Sequence, residues 1–466
     1  MASINKRVVS KAPVTHNGGQ ADRISNYEAL KRSVMTAMLG ENSFYESGES
    51  LKVRIMELSK KVDAMKVAEL AVDARENGKL RHVPLWLAVC LARRSKEIKI
   101  APLLARIIRR PDEMGEFLAL LKEANGREVR KPSGGIKLPS QVRKGLALSF
   151  AGFNEYQLAK WKGNRDQIRL IDVLRMVRPV PDNEDMAALW KRLKDGKLAP
   201  PDTWERRLSA GEKKEKVWTD LLNAPKDKGL GYMALLMNLR NMKNAGVPKD
   251  LVAGQLIPRA RKSWALPFRF ISARDAVPEW KDIIDLAMQE SVKGLPRLMG
   301  KTILLVDLSG SMVGPIVGKS KLDRRDAACA LGILVDGVCE NAAIYGFSTN
   351  IALAKGPKKN ANLAGFELFD AIQRSNSGGT NVGYCVEAAI RENPDADRII
   401  VITDEQSSDR VSSPKMRGYM VNVASYQNGV GYGGNWTHIN GFSENVLSFI
   451  SALENGVITG TEDEEE

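Results

Sequence analysis

The chain changes its hydrophobic rhythm once, near Met299, and that change limits what it can fold into. From Tyr27 to about Lys293, apolar residues recur at helical spacing, with Gly, Pro and Asn as punctuation. The spacing predicts helices over 28–38, 67–77, 84–94, 102–109, 141–150, 185–193, 233–243 and 280–292. Strand-like alternation is nearly absent there. Short helices in series, with no exact period, predict a helical-repeat domain whose units have diverged. After Met299 the pattern alternates: strand 302–306, helix 322–340, strand 342–347, helix 381–392, strands 398–403 and 419–424, helix 443–454. Alternation of this kind predicts an α/β doubly wound domain with a mostly parallel sheet. The expected division is a disordered arm over 1–25, a helical domain over 26–298, the α/β domain over 299–458 and an acidic tail over 459–466.

The ends of the predicted strands carry the chemistry. Thr302-Ile303-Leu304-Leu305-Val306 reads as a buried parallel strand, and Asp307-Leu308-Ser309-Gly310-Ser311 leaves its end. Ser377-Gly378-Gly379-Thr380 offers a hydroxyl on a Gly-rich loop before a helix. Ile399-Ile400-Val401-Ile402-Thr403-Asp404 is a second apolar strand ending in a carboxylate. Open α/β sheets place their sites at the carboxyl ends of the strands. Carboxylates and hydroxyls gathered there make an all-oxygen cluster, which suits a hard cation such as Mg²⁺.

Asp-x-Ser-x-Ser, a loop Thr and a later Thr-Asp in this order resemble the metal-ion-dependent adhesion site (MIDAS) of a von Willebrand factor A domain. The resemblance implies that Asp307, Ser309, Ser311, Thr380 and Asp404 hold a divalent cation, Mg²⁺ first among them, directly or through water. The helical half carries a second resemblance. Tyr27-Glu28-Ala29-Leu30-Lys31-Arg32 runs on to Leu39-Gly40-Glu41-Asn42-Ser43-Phe44-Tyr45; later come Gly229-Leu230-Gly231-Tyr232 through Met242, and Arg259 through Phe270. With the A domain, these resemble the Ro autoantigen family, the TROVE-domain RNA-binding proteins. One position departs from the family: Leu266 stands before Pro267 where the family has His. The resemblance implies HEAT-like helices closed by the A domain into a monomeric ring. It implies small non-coding RNA of the Y RNA kind on a basic outer surface and RNA 3′ ends in the hole. It also implies an exoribonuclease such as polynucleotide phosphorylase as a partner.

Charge supports a polyanion ligand independently. The net charge is +14, but residues 1–298 carry 56 basic against 35 acidic residues, and residues from Met299 onward carry 14 against 21. A strongly basic half is the electrostatic footprint of a nucleic-acid binder. The stretch 137–178 holds Lys137, Arg143, Lys144, Lys160, Lys162, Arg165, Arg169, Arg175 and Arg178, with Trp161 interleaved. Such side chains neutralise phosphates, and duplex RNA is read mostly by shape and backbone. Trp161 would stack on a base or pack in the core. Arg261 and Lys262, shortly before the A domain, would line a ring's passage or pair with the acidic domain.

Other chemistries find little support. Gly314-Pro315-Ile316-Val317-Gly318-Lys319-Ser320 has three residues between its glycines where a phosphate-binding loop needs four. His16, His82 and His438 form no nucleophile–base set with a neighbouring motif, so a binding protein rather than an enzyme is expected. Four Cys without paired spacing, and no long apolar span, predict a reduced, cytoplasmic chain. The alternative to RNA binding is a protein–protein adhesion module that uses the cation to take an acidic partner residue.

Overall fold

The computed structural model describes residues 13–36, 47–94, 96–125, 138–161, 168–201, 203–225, 229–263, 265, 267–293, 297–313, 322–357, 359–441 and 445–455. The chain forms two compact units, and their division differs from the one expected. One unit is chiefly Gly48–Leu256. The other joins the N-terminal residues up to Thr36 to Ile257–Glu466. The boundary expected at 298 therefore falls inside the second unit, where the helices Pro267–Ala276 and Lys281–Val292 pack on the sheet domain's own helices. Residues 13–25, expected to be a disordered arm, are held against the sheet domain, with Thr15 and Ala21 buried.

In the helical unit, His82–Ala92 is apolar nearly all round, and every residue from Val83 to Ala92 is buried. Such a helix has no solvent face, so it sits among neighbours: Gly48–Lys61, Ala64–Glu76 and Pro111–Asn125 pack on it. Asp63 starts the helix Ala64–Glu76 by accepting the Met65 and Lys66 amides at 2.9 and 3.2 Å. Glu113, wholly buried, is neutralised by Arg75 at 2.8 Å and accepts the amides of Arg109 and Arg110. The helix expected over 233–243 is two helices, Tyr232–Met237 and Leu239–Asn244. Between them the buried Asn238 turns its side-chain amide onto the Ala234 carbonyl at 2.8 Å, a local bond that competes with helix continuation.

The sheet has six strands: β1 (Leu298–Asp307), β2 (Cys339–Phe347), β3 (Ile351–Lys355), β4 (Arg398–Thr403), β5 (Arg417–Asn422) and β6 (Trp436–Asn440). Their order is β3-β2-β1-β4-β5-β6, parallel except for β3. Side chains alternate across β1 as a strand's pleat requires. Ile303 and Leu305 join a core with Val382, Cys385 and Val386 of the helix Val382–Glu392. Leu304 and Val306 face Gly332 of the helix Arg324–Val338. Both faces are thus covered, which makes the domain doubly wound, as expected. Sequence rhythm missed β3, β6 and the helix Gly365–Gln373, and Cys339 opens β2 rather than lying in the preceding helix. The four cysteines are free and buried. Among the described residues, no helix is long and apolar enough to cross a membrane.

Candidate functional site

The strand order reverses between β1 and β4, and ligands of open α/β sheets bind at such a switch point, beyond the carboxyl ends. Asp307 ends β1 there, and Asp404 directly follows β4. Both are wholly buried. Asp307 accepts the Ser309 amide at 2.8 Å on one carboxylate oxygen and the Thr403 hydroxyl at 2.5 Å on the other. The Ser309 and Ser311 hydroxyls lie 3.2 Å apart. A backbone bridge between Ser309 and Gly378 ties their turn to the loop that brings Thr380, itself buried. Asp404 accepts the Gln406 amide on Oδ1 at 3.0 Å, whereas its buried Oδ2 has no hydrogen-bond partner among the described residues.

The electrostatics follow from burial. Desolvation pushes the Asp307 carboxyl up to about 7, and the negative charge of Asp404 adds to the rise. Burial raises Asp404 as well, against the Ser311 hydroxyl, the Gln406 amide and the charges of Arg324 and Arg32. Two buried carboxyls facing each other, one with an orphaned oxygen, fit a divalent cation, which would reverse both shifts. Glu405, next to Asp404, is turned away from this cluster. It has φ +61°, and its buried side chain pairs with Arg32 and His438. Arg324, also buried, leaves Nε and Nη1 without partners among the described residues.

The basic stretch lies in the helical unit. Arg143 and Lys144 sit on the helix Ser140–Ala151, Lys160 ends Glu155–Lys160, and Arg169, Arg175 and Arg178 belong to Leu170–Val177 and its caps. All six are exposed. The helices Ser140–Ala151 and Leu170–Val177 pack on each other. Arg169 pairs with Asp172 at 2.9 Å, and Arg175 stands 3.9 Å from the same carboxylate. Trp161 is half-buried, with the Arg110 guanidinium 3.6 Å over its ring and Lys160 at 5.5 Å. Lys160, Trp161, Arg169 and Arg206 line one cavity of about 1020 Å³, with Leu198 and Pro200 among its apolar walls. Lys137, Lys162 and Arg165 lie outside the described residues, as does 314–320.

Arg261 and Lys262 form an exposed turn in the other unit. Arg261 pairs at 2.8 Å with Glu290, on the helix Lys281–Val292. Its acidic partner thus precedes Met299 and is not the expected acidic domain. Sequence reasoning missed Arg110, and it missed the N-terminal residues that reach the oxygen cluster. Asn17-Gly18-Gly19 is a turn signal that could have marked structure in the arm.

The TROVE domain model matches residues 183–293. Telomerase protein component 1 of Mus musculus is 37% identical over 86 residues, which is 17% of this chain and 3% of that protein. The Rattus norvegicus protein of the same name is 36% identical over 86 residues, again 17% of this chain and 3% of its own length. The chain thus spans a small fraction of these curated relatives. The crystal structure of the Deinococcus radiodurans Ro (RSR) protein superposes with a TM-score of 0.59 at 18% identity, over 93% of this chain and all of that one. Residues 183–293 thus match the TROVE domain, and the chain as a whole has the fold of the Ro protein.

Proposed function

We propose that the chain is a non-catalytic RNA-binding protein that takes structured small non-coding RNA of the Y RNA kind on its basic helical face. It also takes single-stranded RNA 3′ ends, and it acts in RNA quality control or as an adaptor for RNA processing, an exoribonuclease being the partner such a role calls for. The observation that carries this is the set of six exposed cations on neighbouring helices, two of which, Lys160 and Arg169, line a cavity together with Trp161. Phosphate is recognised by such cations and unpaired bases by aromatic faces. The non-catalytic reading is supported by side chains already committed elsewhere. His82 is held by Glu116, His438 by Glu405, and burial raises all four thiols above the ordinary cysteine range.

In the same proposal, Asp307, Ser309, Ser311, Thr380 and Asp404 hold one Mg²⁺ or similar hard cation. The ion would supply a fixed positive charge with an open position for water or an anionic side chain. The adhesion reading has one observation in its favour: N–H groups of the buried Arg324 that have no partner among the described residues, and whose charge already acts on Asp404, would meet an acidic side chain arriving there.

The deciding experiment is a titration of a stem-loop RNA with a 3′ overhang against salt. Affinity falls steeply with salt if phosphates are neutralised. Replacing Arg143, Lys160, Arg175 and Arg178 by Glu weakens that RNA far more than Asp307→Ala does. A flat salt dependence, or equal losses in the two variants, removes the RNA reading and leaves the adhesion one.

A further inference from the structure

We infer that the N-terminal hairpin 13–21 is a working wall of the oxygen cluster, in which Asn17 is a positioning residue that orients Thr380 toward the cation. The inference rests on the metal reading proposed above.

The hairpin closes on itself before it meets anything else. Val14 and Gln20 bridge, Thr15 donates its amide to Gly19 at 3.0 Å, and Ala21 donates to Pro13 at 2.9 Å. It is then tied to the turn that follows β4. The Thr15 hydroxyl donates to the Ser407 carbonyl at 2.6 Å, and the His16 amide donates to Gln406 Oε1 at 2.8 Å. A Cβ on Gly19 would overlap the Ser407 carbonyl, so this approach of backbone to backbone needs glycine. Asn428 fastens the other edge, donating to the Val14 carbonyl at 2.8 Å.

Asn17 stands at the tip. Its side-chain amide donates to the Thr380 hydroxyl at 3.4 Å and to the Gln406 carbonyl. A threonine hydroxyl has two lone pairs and one hydrogen. With one lone pair turned toward Asn17, the other is fixed in direction and can be offered to a cation. Ser408 holds Thr380 from its backbone side, donating to the carbonyl at 2.7 Å. Gln406 passes the same constraint to the second carboxylate. Its amide donates to Asp404 Oδ1 at 3.0 Å, and its side-chain nitrogen bonds the Asp404 carbonyl at 3.2 Å and the Asn428 carbonyl at 2.9 Å. The hairpin therefore bonds the turns that aim two of the five candidate oxygen donors.

Its composition fits orientation rather than ligation. Residues 13–21 contain no Asp, Glu, Lys or Arg, so the hairpin neither neutralises a cation nor competes with one. Groups that orient metal ligands in this way typically change affinity by about 10–100-fold when removed.

The test uses the full chain and Mn²⁺ as the probe ion, read by electron paramagnetic resonance, with unfolding midpoints of the same ion-free samples. Wild type is expected to bind Mn²⁺, Asp307→Ala to lose it, and Asn17→Ala to bind about 10–100-fold more weakly with its ion-free midpoint nearly unchanged. Thr15→Val, which cuts the tie to Ser407 but not the contact with Thr380, is expected to weaken binding less. Should Asn17→Ala fail to fold, Asn17→Ser takes its place. Wild-type affinity in Asn17→Ala, or a larger loss in Thr15→Val, overturns the inference while leaving the metal reading intact. A wild-type chain that takes up no Mn²⁺ overturns both.

Discussion

Arg32 and Glu405 form a wholly buried ion pair between the helix Asn26–Met35 and the turn that carries Asp404. All three guanidinium nitrogens donate: Nε to the Tyr426 carbonyl at 2.6 Å, Nη2 to the Asn428 carbonyl at 3.1 Å, and Nη1 to the Tyr432 hydroxyl at 3.2 Å as well as to Glu405. His438 meets the other Glu405 oxygen and stacks on Tyr432 with ring centroids 3.8 Å apart. The N-terminal helix is thereby fixed to the sheet domain by charge-assisted bonds in a dry environment.

Arg32→Met should destabilise the sheet-bearing unit by about 3–5 kcal/mol, because it removes the guanidinium from the buried Glu405 charge and leaves it only His438. Gly429→Ala should act through the same pair, since a Cβ there would overlap both Arg32 and Glu405. Denaturant unfolding measures both. The exposed Arg169–Asp172 pair is the control, and Arg169→Ala should leave the midpoint nearly unchanged.

Removal of divalent ions should lower the melting temperature of the wild-type chain, and added Mg²⁺ should restore it. The two facing carboxyls of Asp307 and Asp404 repel when ionised, and a cation binding only the folded state stabilises it by mass action. Asp307→Ala should melt at one temperature with or without Mg²⁺. A Mg²⁺-dependent shift in that variant would place the cation elsewhere.

Stability should also carry a pH signature from Asp326, in the first turn of Arg324–Val338. Burial, with a smaller contribution from the charge of Asp323, pushes its carboxyl from the ordinary 3.8 up to about 6. Between those values the folded chain binds more protons than the unfolded one, so this contribution is present at low pH and is lost as pH rises through the window. Asp326→Asn should flatten the stability profile between about pH 4 and 6. Melting temperatures across that range decide it.

Trp161→Ala should weaken a single-stranded RNA by about 1–3 kcal/mol, the usual worth of base stacking on an aromatic ring. A blunt duplex should be unaffected, because its bases are already stacked on one another. Fluorescence anisotropy with the two RNAs separates the outcomes. Equal losses on both would make Trp161 a support for Arg110, which covers its ring at 3.6 Å, rather than a base contact.

What the sequence by itself determined was whatever local pattern controls. A run such as Ile303–Val306 must be buried, the residue after it must leave the strand, and Asp307, Ser309, Ser311, Thr380 and Asp404 could be named because each sits at or near such an end or in a Gly-rich loop. Exposed cations on amphipathic helices, Arg143 and Arg175 among them, were legible for the same reason. β3 and β6 were not, since Ile351–Lys355 and Trp436–Asn440 are five-residue segments that give periodicity little to register. The tertiary structure alone decided that Arg32 would meet Glu405 across 373 residues and Asn17 would meet Thr380 across 363. Neither partner carries a local mark of the other. A hydrogen bond or ion pair across such a separation is set by how the sheet domain's turns are arranged in space, and that arrangement exists only after the strands have paired.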